Sequence, residues 1–403
     1  MIAEELNDGP ASPAWRTRAW GIVGALSVTE TVSWGILYYA FAVFLLPMQQ
    51  ELGYSAAQLA GAFSLALLVS AVAGIAVGRH LDRRGPRALM TAGSITGVVL
   101  VLAWSQVHGL AAFYLLWTGI GVVMAAVLYE PAFVVLAKWF PEPGERRRAM
   151  TAMTLVAALA SFIFLPLAQA LIDAHGWRDA LVILAVVLAV VTIPLHAVAL
   201  RAAPAHPRTV QRSASAREAM RSASFWLLSS AFFLATIAGI AVVVQGIPFL
   251  LERGYGTAFA AFAIGLIGVS QIPGRIVFAA VGGRLPEPWS SMSVFALIAA
   301  GILLVVGVDA PAAVVAGMIL LGMGNGMATL ARATTIADRY GAASYGAIAS
   351  VMGAGTMSAR AVAPVAAAAW AATVGYASML LTLCALAVLA VLLAFAADRS
   401  AAA

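Results

Sequence analysis

Residues 78–87 read "GRHLDRRGPR". Gly78 and Gly85 permit a tight turn between two helices, and Pro86 suits the first turn of the helix that follows. Asp82 can cap a nearby helix N-terminus, where the backbone dipole favours an anion. Arg83 and Arg87 hold the loop on the cytoplasmic side. A basic anchoring loop would account for the arginines but not for the Gly and Asp spacing. Apolar runs flank the loop, at 56–78 and 87–105, each near the ~20 residues that cross a bilayer as helix.

The same pattern fills the chain. Runs at 19–47, 56–78, 87–105, 109–137, 149–173 and 179–200 precede a polar linker. Runs at 224–250, 258–282, 290–308, 312–337, 345–371 and 375–397 follow it. Of 403 residues, 63% are hydrophobic and 10% charged, with a mean hydropathy of +0.97; a soluble chain carries charge at roughly a quarter of positions. The ~10-residue alternating segments of a membrane barrel are absent. These features predict an all-α integral membrane protein with twelve transmembrane helices. The N-terminus, acidic before it is basic and without a small-residue cleavage site, is not read as a removable signal, so helix 1 directs insertion. Cys384 is the single cysteine, which excludes an intrachain disulfide or a cysteine-rich metal site. No cofactor, metal or nucleic-acid partner is expected; the partners are a small-molecule substrate, protons and the lipid bilayer, and the protein is read as a monomer.

Cations set the orientation. With the N-terminus inside, 18 of the 23 Lys and Arg fall on the inner side, and only Arg178 and Arg253 outside. Both termini are therefore expected in the cytoplasm. Arginine outnumbers lysine 22 to 1, which suggests a GC-rich bacterial genome and an inner-membrane location. The two halves also echo each other. Glu51, Gly53 and Tyr54 recur as Glu252, Gly254 and Tyr255, and Trp139 as Tyr340; Pro166, Gly176 and Trp177 match Pro364, Gly375 and Tyr376. Duplication follows, giving two pseudo-symmetric six-helix bundles (6+6), at 1–200 and 224–403, joined by a cytoplasmic linker at 201–223. Such repeats commonly hold substrate near the bilayer midplane.

The loop at 78–87 resembles the G-x-x-x-D-[RK]-x-G-x-[RK] signature of the major facilitator superfamily, and a worn copy stands at Gly283, Arg284 and Glu287. The resemblance covers essentially the whole chain. It implies that helices 1, 4, 7 and 10 line a central cavity and that helices 2, 5, 8 and 11 form the interface between halves. It also implies that Asp82, with Gly78, Arg83, Gly85 and Arg87, steadies one face of an alternating-access cycle.

Five ionisable residues lie well inside helices: Glu30, Glu130, Arg275, Arg332 and Arg360. Each charged form costs roughly 2.5–3.5 kcal/mol at the bilayer centre, so such groups face a cavity or a partner. A structural role, as an ion pair or a carbonyl-bonded arginine at a helix break, is the alternative. In "GVSQIPGRIVFAAVGGRL" (268–285), Arg275 lies midway along helix 8, with Gln271 one turn earlier on the same face. Arg360 sits about fifteen residues into helix 11, with Thr356 one turn before it. Both are read as anion ligands. Arg332, seven residues before Arg339, suits snorkelling, gating or substrate contact, and its position beside the repeat equivalent of Glu130 makes a pair between them plausible. Glu30 shares a face with Trp34 and Tyr38. Either Glu30 or Glu130 is the candidate proton carrier, while Trp34, Tyr38 and Gln245 would shape the pocket. His196, near an inner helix end, is read as interfacial.

Arg275 in helix 8 with a cation in helix 11 is similar to the paired cations of oxalate/formate antiporters. Arg275 with its i−4 neighbour, and "SWG" (33–35) in helix 1, are similar to monocarboxylate transporters. Gln271 stands where monocarboxylate transporters carry Asp, so coupling passes to Glu30 or Glu130. The resulting expectation is a secondary transporter of a small organic anion, a mono- or dicarboxylate, working by proton symport or anion exchange. Proton-coupled efflux of drugs or toxic compounds is the alternative, and a non-translocating membrane sensor is the alternative from another class. No nucleophile–base pair, metal cluster or phosphate loop supports an enzyme. The run "LGMGNGMATL" (321–330) lacks a preceding strand and reads as close helix packing.

Overall fold

A bilayer offers no partner to backbone N–H and C=O groups, so spanning segments close their hydrogen bonds internally. The computed structural model describes residues 13–200, 215–282, 284–285 and 289–402, and these are helical with no strand among them. Gly283 and Glu287 of the worn second loop, together with Arg201, Arg208 and Arg212 of the linker, lie outside the described residues.

Helix 1 comprises Pro13–Trp34, a π-helical turn at Gly35–Tyr39, and Ala40–Leu52. Helix 2 is Ala56–Arg84, opened by a capping box in which Ser55 and Gln58 satisfy each other's backbone N–H. Helix 3 is Arg87–Ser105. Helix 4 is broken into Leu110–Val127 and Tyr129–Trp139. Helix 5 begins at Pro143, six residues before its predicted start. Pro143 occupies the first helical turn and Glu145 supports its dipole; a reading that counts only apolar residues misses these charged opening turns. A continuous stretch from Pro143 to Ala199 holds 57 residues, roughly 85 Å of helix against a ~30 Å core. Gly176 divides it at φ 78° and ψ 162°, so it contains both helix 5 and helix 6. After the short Ala216–Arg221 helix come helix 7 (Ala223–Glu252), helix 8 (Thr257–Val281) and helix 9 (Trp289–Gly307). Helix 10 (Pro311–Tyr340), helix 11 (Tyr345–Val374) and helix 12 (Tyr376–Ala402) complete the twelve.

Backbone geometry repeats where the sequence does. Gly53 and Gly254 end helices 1 and 7 at φ 74° and 84°, and Gly176 and Gly375 turn the last helix pair of each half at φ 78° and 85°. Only glycine takes this left-handed region without a Cβ penalty. The end of the third helix of each half is also tied by an arginine. Arg178 donates to the Ser105 carbonyl at 2.6 Å, and Arg253 to the Val305 carbonyl at 2.6 Å, acceptors 200 residues apart.

The chain divides into two compact units. The first holds Met1–Ala214 and also takes in Ala337–Val351; the second holds Ser215–Ile336 and Met352–Ala403. Within the second unit, small residues bring helix 10 against helix 8. A Cβ on Gly322 would collide with the Ile267 backbone, one on Gly326 with the Gln271 backbone, and one on Gly274 with the Met323 backbone. The glycine run at 321–330 is thus a packing surface, and it fixes the helix 8 segment that carries Gln271 and Arg275.

Gly326→Val is expected to force these helices apart and to cost about 1–3 kcal/mol, seen as a lower melting temperature of the detergent-purified protein. Gly24→Ala, with open space around the added Cβ, should not lower it.

Candidate functional site

Three clusters emerge, each within one unit. In the second unit, Arg275 is 5% exposed and donates to the Gln271 side-chain oxygen at a long 3.5 Å. Gln271 is neutral, so this contact orients the guanidinium without cancelling its charge. Gln245 on helix 7 is buried, while Arg360 and Thr356 on helix 11 are half-buried. Arg332 is 7% exposed, which places its side chain in protein rather than snorkelling along an outer face; of its expected roles, gating and substrate contact remain. Asn325 is a polar residue that the sequence reading passed over. It stands half-buried on helix 10 against Gly239 of helix 7, and its signal was an amide inside an otherwise small and apolar run.

In the first unit, Glu30 is 0% exposed and its Oε2 accepts from the Trp34 indole N–H at 3.1 Å. The π-helical turn directly after Trp34 inserts an extra residue per turn, a distortion frequent at functional sites. It brings two tyrosines to Trp34 where the sequence reading chose one: ring centroids lie 5.0 Å away for Tyr38 and 6.3 Å for Tyr39. Tyr129 adds a third at 4.8 Å from helix 4. Helix 4 breaks at Leu128, which is extended at φ −91° and ψ −165°, and Pro131 cannot donate to the carbonyl of Val127. Glu130 therefore opens the second segment of this helix and is half-buried. Tyr39 and Tyr129 were legible only as neighbours of chosen residues, because a regular 3.6-residue helix points them elsewhere.

The third cluster also belongs to the first unit. Asp82 accepts from the backbone N–H of Gly346 at 3.1 Å and of Ala347 at 2.8 Å, in the first turn of helix 11. Negative charge is favoured there by the helix dipole. Lys138 lies 3.3 Å from the same carboxylate and donates to the Leu81 carbonyl. The approach is possible because a Cβ on Gly78 would collide with the Gly346 carbonyl. Gly85 supplies the loop's positive φ, 78°. Arg83 and Arg87 are exposed, with no ion pair among the described residues. Arg146, counted in the sequence only as an orienting charge, is 4% exposed. It binds Asp338 and donates to the Pro141 carbonyl, with Arg147 also near Asp338. His196, expected at the membrane surface, is buried, with Nδ1 2.7 Å from the Ser94 hydroxyl of helix 3 and no hydrogen-bond partner at Nε2.

Twelve helices in duplicated halves, with charges held inside them, define a polytopic membrane transport protein. The family model described as Major Facilitator Superfamily matches residues 29–364, and the chain belongs to that superfamily; it is a transporter and not an enzyme. The oxalate:formate antiporter of Oxalobacter formigenes is 24% identical over 237 residues, 57% of this chain and 54% of that protein. The chain thus spans about half the length of that relative. Monocarboxylate transporter 13 of Bos taurus is 26% identical over 79% of this chain and 74% of its own. An MFS-type efflux pump of Mycolicibacterium smegmatis is 29% identical over 64% of this chain and 62% of its own. Among solved structures, the transporter FucP in its outward conformation aligns with a TM-score of 0.71 at 16% identity, covering 93% of this chain and 98% of that one; this likeness concerns the fold.

Asp82→Ala would strip the acceptor from two backbone N–H groups and from Lys138. The expected loss is about 1–3 kcal/mol of stability, against a change within about 0.5 kcal/mol for the exposed Arg83→Ala. Thermal melts of the two variants beside the parent protein check this.

Proposed function

We propose that the protein is a secondary transporter of a small organic anion, a mono- or dicarboxylate, coupled to protons or to a counter-anion. The observation that carries this reading is a segregation of charge. Between residues 223 and 402 the sequence holds five acids, Glu252, Glu287, Asp309, Asp338 and Asp398; the four described ones stand near or beyond helix ends, while Arg275, Arg332 and Arg360 stand well inside helices. Three arginines set inside the helices of a half whose acids stand elsewhere favour an anionic guest. A guanidinium also grips a carboxylate through two parallel hydrogen bonds. Arg275 and Arg360 are assigned as anion ligands, with Gln271 and Gln245 beside them in the same unit, and Trp34 and Tyr38 are assigned to substrate binding. Glu30 or Glu130 is assigned to coupling. Asp82, Gly78, Gly85 and Arg332 are assigned to gating, and the contacts of Asp82 with helix 11 support its place there. Arg83 and Arg87 are assigned to the same gating loop, where their charges also hold it on the cytoplasmic side. The relatives described as an oxalate:formate antiporter and a monocarboxylate transporter support the substrate class. The excess of inner-side cations supports a bacterial inner-membrane protein with both termini in the cytoplasm.

A second reading, export of lipophilic cations, draws on the aromatic wall of Trp34, Tyr38, Tyr39 and Tyr129 beside Glu130, and on the efflux-pump relative. A thermal-shift titration of the purified protein with small carboxylates and with amines separates the two. Carboxylates are expected to stabilise it, and Arg275→Gln to weaken that binding by about 30-fold or more, equivalent to roughly 2 kcal/mol. Stabilisation by amines alone, or carboxylate binding indifferent to Arg275→Gln, would overturn the anion reading.

If one proton accompanies one monoanion, no net charge crosses. Uptake into vesicles should then follow an imposed pH gradient but ignore an imposed potential, although ~2.3 kcal/mol per charge per 100 mV would be available to an electrogenic cycle.

A further inference from the structure

Helix 1 carries a row of hydroxyl side chains, and one of them behaves differently from the rest. Ser27 donates to the Val23 carbonyl at 2.7 Å, Thr31 to the Ser27 carbonyl at 2.7 Å, and Thr29 to the Leu26 carbonyl at 3.2 Å. This back-bonding is the ordinary resting place of a helical hydroxyl. Ser33, 1% exposed, has no hydrogen-bond partner in the protein, and neither does Glu30 Oε1, three residues earlier. Two fully buried oxygens, a turn apart on one helix, thus lack a donor. An unmet buried polar group destabilises the fold unless a ligand answers it.

We propose that Glu30 and Ser33, beneath the Trp34 indole, form a binding site for a small monovalent cation of sodium size, in competition with a proton. The inference rests on the assignment of Glu30 to ion coupling. A proton on Glu30 Oε1 makes that oxygen a donor, and the Ser33 oxygen one turn on can accept from it; a cation would use the same two oxygens as ligands in the proton's place. A single cation can take electrons from both oxygens at once. Hard oxygen ligands are what such an ion prefers. Helix 4 is interrupted at Leu128, next to the Tyr129 ring that meets Trp34, and interrupted membrane helices supply backbone carbonyls to cations. Size follows from layering. Trp34 is buried and hydrogen-bonded to Glu30, and half-buried Tyr38, Tyr39 and Tyr129 pack around its ring. A bulky ammonium group is excluded from Glu30 while Trp34 keeps this position; a bare ion is not. Coupling one such cation to one monocarboxylate would also be electroneutral.

The test is a melting-temperature titration of the purified full chain with sodium chloride, at fixed pH and ionic strength with choline chloride as the balance and potassium chloride in parallel. A saturable sodium response, weak or absent with potassium, is expected. Ser33→Ala should raise the half-saturating sodium concentration about tenfold, and Glu30→Gln should abolish the response. Acidification should weaken it, because protons compete for the same carboxylate. Sodium acting no differently from choline, or a sodium response that survives both substitutions, overturns the site. If Glu30→Gln does not elute as a folded protein, Ser33→Ala carries the test alone. The carboxylate titration, run on the same samples, separates the two proposals. A carboxylate response without a sodium response removes this site and leaves the anion reading standing. A sodium response without a carboxylate response does the reverse.

Discussion

Within the hydrocarbon layer no water can complete a broken backbone hydrogen bond, so every interruption of a helix must be answered by protein. This constraint gives the chain its helical character, and it makes two irregular segments of the first unit informative. The π-helical turn at Gly35–Tyr39 and the extended residue at Leu128 come together where Trp34 meets Tyr129. Two separate distortions at one contact mark the place where side chains, and not helix regularity, set the local geometry. Glu30, Ser33 and Glu130 are the ionisable and hydroxyl groups that benefit.

The same constraint governs the charges. A guanidinium on a membrane helix needs protein around it, and Arg275 obtains this from the close approach of helices 8 and 10. Gly274, Gly322 and Gly326 let the two backbones touch, so the residues that look least chemical in the sequence are those that bury the most chemical one. Interior acids are confined to the first half and interior arginines to the second. Duplication therefore produced two similar frames whose polar contents have diverged completely. The shared glycine turns at Gly53 and Gly254, and at Gly176 and Gly375, preserve the frame.

Asp82 shows how a short motif becomes a three-dimensional contact. Its carboxylate meets the first turn of helix 11, more than 260 residues away in sequence, and the segment Ala337–Val351 is compact with the first unit, although it follows helices that belong to the second. Arg146 and Asp338 reinforce that docking. A basic loop in the linear chain gives no hint of which arginine will be buried, because position relative to the membrane and position relative to a partner carboxylate are independent facts.

The sequence by itself determined the helical class, the number of spans, the duplication, and the identities of Glu30, Asp82, Glu130 and Arg275 as residues needing explanation. It could do so because a hydrocarbon environment penalises polar groups strongly enough to leave each one visible against an apolar background. Tertiary structure alone decided the rest. Tyr39 and Tyr129 joined the site at departures from regular helix, which composition does not encode, and Ser33 through burial without a hydrogen-bond partner. Lys138, Arg146 and Asn325 acquired partners on segments remote in sequence. His196 moved from an expected surface position to a buried hydrogen bond with Ser94, because whether a polar side chain reaches water or a neighbour depends on which face its helix turns inward, and only packing fixes that.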